Sequence, residues 1–338
     1  MWSEQELDIK LTTPSDRLVK DMSGIQGDII VLGAGGKMGP TLCVLAHNAM
    51  RAAGVSGKVT AVSRFTDPVA VELLRGSGVE TISTDLLEPG ACDALPDAPN
   101  VIYMAGRKFD TVGQEYLTWA MNARLPGIVA ERYKNSRIVV FSSGNIYPMV
   151  SVFSGGATEQ TTSSPVGEYG MSCLARERLF EYGSYKYGTP VLLYRLNYAV
   201  DLRYGVLFDI AHNITGGQPV SLATPCFNCI WQGDANEIAI RSLLHTASPA
   251  VKMNVTGPET VSVRYAATEL GSLLGVEPVF TGEESAEAYL SNASKAAETF
   301  GYPSVPVSTL IKWQAEWILS GGRGLGKPTH FEERGGKY

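Results

Sequence analysis

The stretch of sequence that decides the fold is Asp-Ile-Ile-Val-Leu-Gly-Ala-Gly-Gly-Lys-Met-Gly, residues 28–39. Residues 29–32 are apolar and mostly β-branched, which is typical of a strand buried on both faces of a parallel sheet. A glycine turn follows, and a helix is predicted over residues 38–53. Such a turn brings backbone N–H groups and the positive end of the helix to a pyrophosphate. The stretch therefore predicts a dinucleotide site, and the alternative is a tight turn in a sheet protein that binds no nucleotide.

The rest of the chain alternates predicted strands with predicted helices. Further strands are expected at residues 58–63, 81–83, 101–104, 137–142 and 191–196, and further helices at 113–133 and 169–185. This alternation predicts an α/β fold, a Rossmann-type doubly wound parallel sheet with a smaller C-terminal substrate lobe.

Three regions are predicted along the chain. Residues 1–26 form a polar N-terminal extension with one short helix, which begins near Thr13 and ends near Gly24. Residues 27–200 form an NAD(P)-binding Rossmann domain. Residues 201–338 form mainly a substrate-binding lobe, interleaved with the last elements of the sheet.

Composition and charge argue against several classes of protein. A formal net charge of -6 disfavours a nucleic-acid partner, and without a run of about 18 apolar residues no membrane span is expected. Residues 1–20 hold no apolar signal core, and scattered cysteines without an export signal predict a cytoplasmic location. Cys226 and Cys229 are spaced as C-x-x-C, but no second pair or nearby histidine completes a zinc site, so no metal is expected.

The end of the second predicted strand bears on the choice of cofactor. NAD-binding proteins usually place Asp or Glu there to bond the ribose 2′-hydroxyl. This chain has Ser63 and Arg64 instead, which can donate to a phosphate and neutralise it. The sequence thus favours NADP, with NAD as the alternative if Arg64 is an ordinary solvated charge.

Several further motifs follow in the order and spacing of one family. They are Thr84-Asp85-Leu86, Val101-Ile102-Tyr103-Met104-Ala105-Gly106, Phe141-Ser142-Ser143-Gly144-Asn145-Ile146-Tyr147, Tyr169-Gly170-Met171-Ser172 and Asn292-Ala293-Ser294-Lys295-Ala296. With the glycine turn, they resemble the extended short-chain dehydrogenase/reductase family of the NAD(P)-dependent epimerase/dehydratase type, similar to UDP-galactose 4-epimerase. The resemblance runs from about residue 28 to at least 315.

The resemblance implies a set of cofactor-binding residues. In the family, the carboxylate at the position of Asp85 bonds the adenine amine, a helix asparagine at the position of Asn122 supports the site, and the 4-epimerases have a cofactor-contacting lysine at the position of Lys108. The full set is Gly33, Gly35, Gly36, Lys37, Met38, Gly39, Ser63, Arg64, Asp85, Leu86, Met104, Ala105, Gly106, Lys108, Asn122, Tyr169 and Cys173.

The resemblance also implies the catalytic residues, with one departure. Family members carry Tyr-x-x-x-Lys, in which the tyrosine exchanges a proton with a substrate hydroxyl and a serine, here Ser143, holds that oxygen. Tyr169 is present, but the lysine position holds Cys173. The phenol pKa is near 10, and a nearby cation lowers it toward working pH, which a thiol does not. Lys108 is the first candidate to supply the missing charge, and Arg176 is the second.

The cysteine at this position leaves two further possibilities open. In the first, the positive charge of an oxidised nicotinamide substitutes for the lysine. In the second, the protein binds cofactor but no longer transfers hydride efficiently. Because Ser143 and Tyr169 are both present, an active enzyme is the favoured prediction.

The substrate side lacks the usual cations of the family. Nucleotide-sugar epimerases use arginines for the substrate diphosphate, and the corresponding positions here are Phe227 and the acidic stretch 281–285. Neutral groups at Asn145, Tyr147, Asn197, Tyr198, Asn228 and Trp231 suit a hydroxyl-rich ligand, and either Arg195 or Arg203 is a candidate partner for a carboxylate.

The sequence therefore predicts an NAD(P)-dependent oxidoreductase or epimerase for a small sugar, sugar lactone or sugar acid. The alternatives are a catalytically impaired NAD(P)-binding regulatory protein, and a nucleotide-sugar epimerase or dehydratase. The resemblance further implies a homodimer, in which the helices at 113–133 and 169–185 form a four-helix bundle.

Overall fold

The computed structural model describes residues 2–109, 112–326 and 329–337. Its strands are β1 (Ile29–Leu32), β2 (Val59–Ser63), β3 (Glu80–Ser83), β4 (Asn100–Tyr103), β5 (Arg137–Ser143), β6 (Val150–Ser151), β7 (Val191–Leu196), β8 (Ala199–Val200), β9 (Val220–Ser221), β10 (Cys226–Phe227), β11 (Ile230–Trp231), β12 (Val251–Val255), β13 (Val261–Ser262), β14 (Phe280–Thr281) and β15 (Glu287–Ala288). Its α-helices are α1 (Glu4–Thr12), α2 (Asp16–Met22), α3 (Gly39–Ala52), α4 (Pro68–Gly76), α5 (Glu115–Trp119), α6 (Leu125–Arg132), α7 (Gly167–Tyr187), α8 (Val206–Thr215), α9 (Gln232–Arg241), α10 (Val263–Leu274), α11 (Ser294–Phe300) and α12 (Val307–Leu319). None of the described helices is long and apolar enough to cross a membrane.

A seven-stranded parallel sheet lies at the centre, in the order β12-β7-β5-β4-β1-β2-β3. The predicted Rossmann-type fold is thus confirmed. Strand β1 is buried on both faces: Ile29 and Val31 pack in one core, and Ile30 and Leu32 pack in the other. The strand order reverses between β1 and β4, because β2 and β3 lie on one side of β1 and the later strands lie on the other. In sheets of this kind a ligand crevice opens at this reversal, at the carboxyl ends of the strands.

The chain after residue 200 contributes to two regions. Helices α8, α10 and α12 surround a separate apolar core. Strand β12 pairs with β7 in the central sheet, and α9 packs against α3 beside the phosphate-binding turn. The C-terminal half is therefore built around the crevice as well as beyond it.

The N-terminal region differs from the sequence prediction. It forms two helices, α1 and α2, rather than one helix over 13–24. Leu7 of α1 is buried in the core of the C-terminal lobe, and Leu18 of α2 is buried in the core of the sheet. The Arg203 guanidinium lies 3.0 Å from the Asp8 carboxylate. The region spans both cores, so the prediction of one helix on a polar extension was wrong.

The helix predicted at 113–133 is interrupted. Between α5 and α6 the backbone forms one π-helical turn, Ala120–Arg124, which contains the fully buried Asn122. Such turns frequently occur at functional sites because they re-aim a side chain. Here the turn directs Asn122 to the loop after β4.

Candidate active site

A cleft of about 780 Å³ opens at the carboxyl ends of the central strands. Its walls include the turn after β1, the ends of β2, β4, β5 and β7, the start of α7 and part of the C-terminal tail. The predicted cofactor residues that line it are Gly33, Gly35, Gly36, Lys37, Met38, Gly39, Ser63, Arg64, Asp85, Leu86, Met104, Ala105, Gly106, Lys108 and Tyr169. Two others, Asn122 and Cys173, are completely buried behind this wall.

The turn after β1 is shaped for a phosphate. Gly33 has φ 89°, and a Cβ there would lie 2.4 Å from the Ala105 nitrogen, so a side chain is excluded. At Gly39 a Cβ would lie 2.3 Å from the Ala34 oxygen, so α3 begins in close contact with the turn. No side chain caps the N-terminus of α3. Its first amides therefore suit a pyrophosphate, as a dinucleotide requires.

The end of β2 lies beside the residue after β3. The Arg64 guanidinium lies 3.8 Å from the Asp85 carboxylate, and about two-thirds of the Arg64 side chain is exposed. Ser63, Arg64, Phe65 and Thr66 line this end of the cleft. The described end of β2 therefore presents hydroxyls and a guanidinium to the cleft, with the carboxylate of Asp85 alongside.

Tyr169 and Ser143 lie side by side in the cleft. The Tyr169 hydroxyl is hydrogen-bonded to the Ser143 side chain and to the Cys173 thiol. Ser143 is fixed in turn, because its Oγ donates to Asn145 Oδ1 at 3.0 Å and accepts from the Asn145 amide at 3.1 Å. The pair can hold one oxygen atom of a ligand between two hydroxyls.

Burial raises the pKa of Tyr169 well above its usual value, and the neighbouring Cys173 raises it further. The Arg176 charge and the hydrogen bond with Ser143 act in the opposite direction. Without a ligand, Tyr169 is therefore a protonated phenol at neutral pH. As a base it needs additional positive charge in the cleft.

Cys173 is a neutral thiol below the floor of the cleft. It is completely buried, and burial raises its pKa despite the nearby Arg176. The repulsion that a thiolate would exert on a phenolate is therefore absent at neutral pH. Its position also places it behind Tyr169 rather than in the cleft wall.

Arg176 lies one turn further along α7 and is 5% exposed. Its guanidinium donates to the Phe141 carbonyl and to Asn122 Oδ1, each at 2.8 Å. The Asn122 side chain also bonds the backbone N–H and C=O of Arg107, each at 2.8 Å. Arg176 thus connects the tyrosine helix to the loop that carries Lys108.

Lys108 faces the cleft from that loop. Its Nζ lies 5.8 Å from the centre of the Tyr169 ring and donates to the Thr329 carbonyl at 3.4 Å. Burial lowers the pKa of Lys108 to about 8, although Cys173, Asp209 and Glu332 oppose the shift. Both candidate cations are therefore near Tyr169, and the charge on Lys108 depends on pH in the weakly alkaline range.

The predicted substrate residues divide into two groups. Asn145, Asn197 and Tyr198 line the cleft. Asn228 is buried, and its Oδ1 accepts from Asn197 Nδ2 at 2.7 Å. Tyr147 is buried, and its hydroxyl donates to Asn254 Oδ1 at 2.8 Å and accepts from Arg195. Trp231 is buried against Trp313, with ring centres 5.6 Å apart. The prediction for these two aromatic residues was wrong, because tertiary partners hold both inside the protein.

The two arginines proposed for a carboxylate ligand are engaged elsewhere. Arg195 is almost fully buried and pairs with Glu177 through Nη2 at 2.7 Å. Arg203 pairs with Asp201 and with Asp8, each at 3.0 Å. Neither residue lines the cleft.

Several cleft residues were not among the predicted site residues. They include Phe65, Tyr204 and His330. Within the described part of the chain, three residues other than glycine have positive φ, namely Phe65 (48°), Tyr198 (44°) and His330 (53°). All three line the cleft, and strained backbone of this kind clusters at functional sites. Nothing in local sequence indicates positive φ at an aromatic residue, so sequence reasoning had no signal for Phe65 and His330.

Known proteins resemble this chain in sequence pattern and in fold. The model of the NAD dependent epimerase/dehydratase family matches residues 29–222. No curated protein sequence matches. The chain therefore belongs to the NAD-dependent epimerase/dehydratase family, whose members are enzymes of the extended short-chain dehydrogenase type.

Solved structures share the fold at low sequence identity. UDP-glucuronic acid 4-epimerase from Bacillus cereus is 18% identical, with a TM-score of 0.73 over 87% of this chain and 99% of that chain. UDP-glucose 4-epimerase from Thermotoga maritima is 17% identical, with a TM-score of 0.71 over the same shares. MoeE5, solved with UDP-glucose and NAD, is 21% identical with a TM-score of 0.68 and again the same shares. This chain therefore carries residues beyond those that match these neighbours.

Proposed function

We propose that this protein is an NAD(P)-dependent oxidoreductase or epimerase of a small polyhydroxylated substrate, with Tyr169 as the proton-exchanging residue. The observation that carries the proposal is the hydrogen bond between the Tyr169 and Ser143 side chains in a cleft that also holds a phosphate-binding turn. This arrangement has the parts that hydride transfer at a carbinol needs: a proton acceptor, a group that holds the oxygen and a cofactor site.

The protein side of the mechanism follows from the contacts. Ser143 holds the substrate oxygen, and Tyr169 takes its proton when the carbinol is oxidised and returns it when the carbonyl is reduced. Arg176 supplies a fixed positive charge that favours the phenolate. Lys108 faces the same space and adds charge below its pKa of about 8. A dinucleotide held by the turn after β1 would supply the hydride chemistry through its nicotinamide.

The substrate proposal rests on charge and on space. Phe227, at the family's arginine position, is buried in the core of the C-terminal lobe. Glu284, in the second cation region, is exposed and pairs with Arg264 at 2.8 Å. Neither position offers a guanidinium to a diphosphate, whose burial without such partners is unfavourable. Asn145 and Asn197 suit hydroxyl groups instead.

The cofactor we favour is NADP. Ser63, Arg64 and Thr66 line the cleft where an adenosine 2′-phosphate is expected, and these groups suit a phosphate. NAD is the second candidate, because MoeE5 and the Bacillus cereus epimerase were solved with NAD.

Two other functions have an observation in their favour. A nucleotide-sugar epimerase is favoured by the solved neighbours, because several of them are named as UDP-sugar 4-epimerases. A regulatory protein with impaired chemistry is favoured by Cys173, which removes the family's lysine. The persistence of Ser143 and Tyr169 argues against the second.

The deciding experiment is detection of products by mass spectrometry after separation of isomers. Wild-type protein, Tyr169→Phe and the exposed same-helix control Tyr182→Phe are each incubated with free sugars, sugar acids and nucleotide sugars, with NAD or NADP. We expect wild type and the control to convert a small sugar or sugar acid, and Tyr169→Phe to lose about 10²–10⁴ in rate. If only UDP-sugars are converted, the substrate class we propose is wrong. If all three proteins convert the substrate at equal rates, Tyr169 is not the proton-exchanging residue.

We also propose that the protein forms a homodimer through the α5–α6 segment and α7. Tyr116, Tyr182 and Tyr185 are exposed large side chains on these helices. Light scattering checks this, because Tyr185→Asp is expected to shift the protein toward the mass of a monomer.

A further inference from the structure

Two described segments, residues 322–326 and 329–337, border the cleft and are together named the C-terminal strap. At one end the Leu325 amide donates to the Arg203 carbonyl at 3.0 Å. At the other end the Arg334 guanidinium donates to the Glu287 carbonyl at 2.8 Å. Gly336 packs so closely on Val166, just before α7, that a Cβ there would lie 2.4 Å from the Val166 oxygen. The described strap is thus anchored on both sides of the cleft.

The middle of the strap is fastened beside the site. The Thr329 amide and hydroxyl both donate to Asp209 Oδ2 of α8, the first at 2.8 Å. Phe331 is 3% exposed and belongs to the core of the C-terminal lobe. The Thr329 carbonyl accepts from Lys108 Nζ at 3.4 Å. Gly326, Thr329 and His330 line the cleft itself.

His330 occupies a backbone conformation that favours glycine. Its φ is 53°, a left-handed conformation that is unfavourable for a residue with a Cβ. Glycine would adopt it freely, so the imidazole side chain itself has a use at this position. Its ring centre lies 6.2 Å from that of Phe109, and both rings line the cleft.

The space left by a cofactor is limited. A cavity of roughly 300–1,000 Å³ typically holds one drug-sized ligand. The cleft of about 780 Å³ includes both the phosphate-binding turn and the Tyr169 end. A dinucleotide therefore fills most of it, and the strap, attached to Arg203 and to Asp209 of the C-terminal lobe, bounds the cleft on the side of that lobe.

We infer that the C-terminal strap is part of the substrate site, that His330 contacts the substrate, and that the strap limits this substrate to the size of about one sugar. This inference rests on the proposed function and deepens it. The strap lets a sugar or sugar acid reach Ser143 and Tyr169 and keeps a nucleotide sugar out.

The first test uses binding and needs no turnover. Full-length protein and a chain that ends at Gly326 are loaded with NADP and titrated with UDP-glucose by calorimetry. We expect the shortened chain to bind UDP-glucose at least tenfold more tightly than the full chain. Equal affinity in the two proteins, whether both bind or neither binds, overturns the inference.

A second variant covers the case in which the shortened chain does not fold. Arg334→Ala together with Asp209→Ala removes two anchors and leaves the chain length unchanged. NADP affinity and circular dichroism report folding, and the same gain in UDP-glucose affinity is expected. If this variant is folded and shows no gain, the strap does not exclude nucleotide sugars.

The role of His330 is tested on whichever small substrate the product assay identifies. We expect His330→Ala to raise KM about tenfold and leave kcat and NADP affinity nearly unchanged, whereas the exposed control His212→Ala changes none of them. An unchanged KM in His330→Ala overturns the contact. If no substrate is converted at all, the proposed function fails while the UDP-glucose titration still decides the strap.

Discussion

The guanidinium of Arg176 donates a 2.8 Å hydrogen bond to Asn122 Oδ1. The same asparagine oxygen accepts from the Arg107 amide, and its amide group donates to the Arg107 carbonyl. A charge on the tyrosine helix is therefore connected through one side chain to the loop that presents Lys108. We propose that Arg176, further along the same helix, supplies the positive charge that the family's lysine would provide.

The contact between Arg176 and Asn122 requires a residue without a side chain at Gly106. A Cβ at Gly106 would lie 2.6 Å from Arg176 Nη2 and 3.2 Å from Asn122 Oδ1. We expect Gly106→Ala to displace the guanidinium and to lower the free energy of unfolding by about 1–3 kcal/mol. Urea denaturation measures the change. The control is Gly76→Ala at the end of α4, where a Cβ meets nothing within 4 Å; a loss of equal size there would contradict the role given to Gly106.

Lys108 should leave a signature in the pH dependence of stability. Burial lowers its pKa from 10.5 in the unfolded chain to about 8. Between these values the unfolded state binds more protons, so this group makes stability rise with pH from about 8 to 10.5. Lys108→Met should be more stable than wild type at pH 7 by on the order of 3 kcal/mol. The gain should shrink above pH 8.

Chemical denaturation of both proteins across this pH range tests the sign. The exposed Lys312→Met serves as the control, and its difference from wild type should not change with pH. A gain in Lys108→Met that grows with rising pH would contradict the burial of a charged lysine.

Restoring the family's lysine should be destabilising in this background. Cys173 is completely buried beside Arg176, and Lys108 also acts on it. The nearby Glu177 carboxylate is already paired with Arg195, so a third cation gains no partner of its own and Cys173→Lys should lose about 3 kcal/mol or more of stability. Adding Lys108→Met should recover at least about 1 kcal/mol beyond the sum of the single changes, because it removes a repulsion. Strict additivity in this thermal or chemical denaturation cycle would mean that the two positions do not interact.

Arg64 should decide the preference between the two dinucleotides. It lines the cleft beside Ser63 and is largely exposed, so it is free to reorient toward a phosphate. We expect Arg64→Ala to weaken NADP binding about tenfold and to leave NAD binding nearly unchanged. Fluorescence titration measures both constants, with the exposed Arg75→Ala as control. A wild type that binds NAD more tightly than NADP would reverse our choice of cofactor.

Local sequence was enough to predict the fold and the glycine turn that lines the cleft. The strand and glycine turn at 28–39 specify a βα unit by themselves, whereas the shared site of Ser143 and Tyr169 was implied by the family resemblance. These features depend on short segments whose hydrophobic pattern and glycine positions fix the backbone locally.

The substrate end depended on contacts between distant parts of the chain. Tyr147 was predicted to face a ligand, but its hydroxyl is held by Asn254, 107 positions away. The strap reaches Lys108 across 221 positions, and no periodicity in its sequence marks this contact. Two helices replaced one at the N-terminus because Leu7 and Leu18 insert into different cores. Contacts between residues this far apart in sequence depend on how the whole chain packs, so local sequence patterns do not predict them.

The most direct test of the central claim is a titration of Tyr169 in the complex with oxidised NADP. Ultraviolet difference absorbance of wild type minus Tyr169→Phe isolates its phenolate, and the same difference is measured in Arg176→Gln and Arg176→Lys backgrounds. If Arg176 supplies the missing charge, the midpoint rises by about one pH unit or more in Arg176→Gln, and Arg176→Lys restores part of it. Identical midpoints in all three backgrounds would contradict the claim.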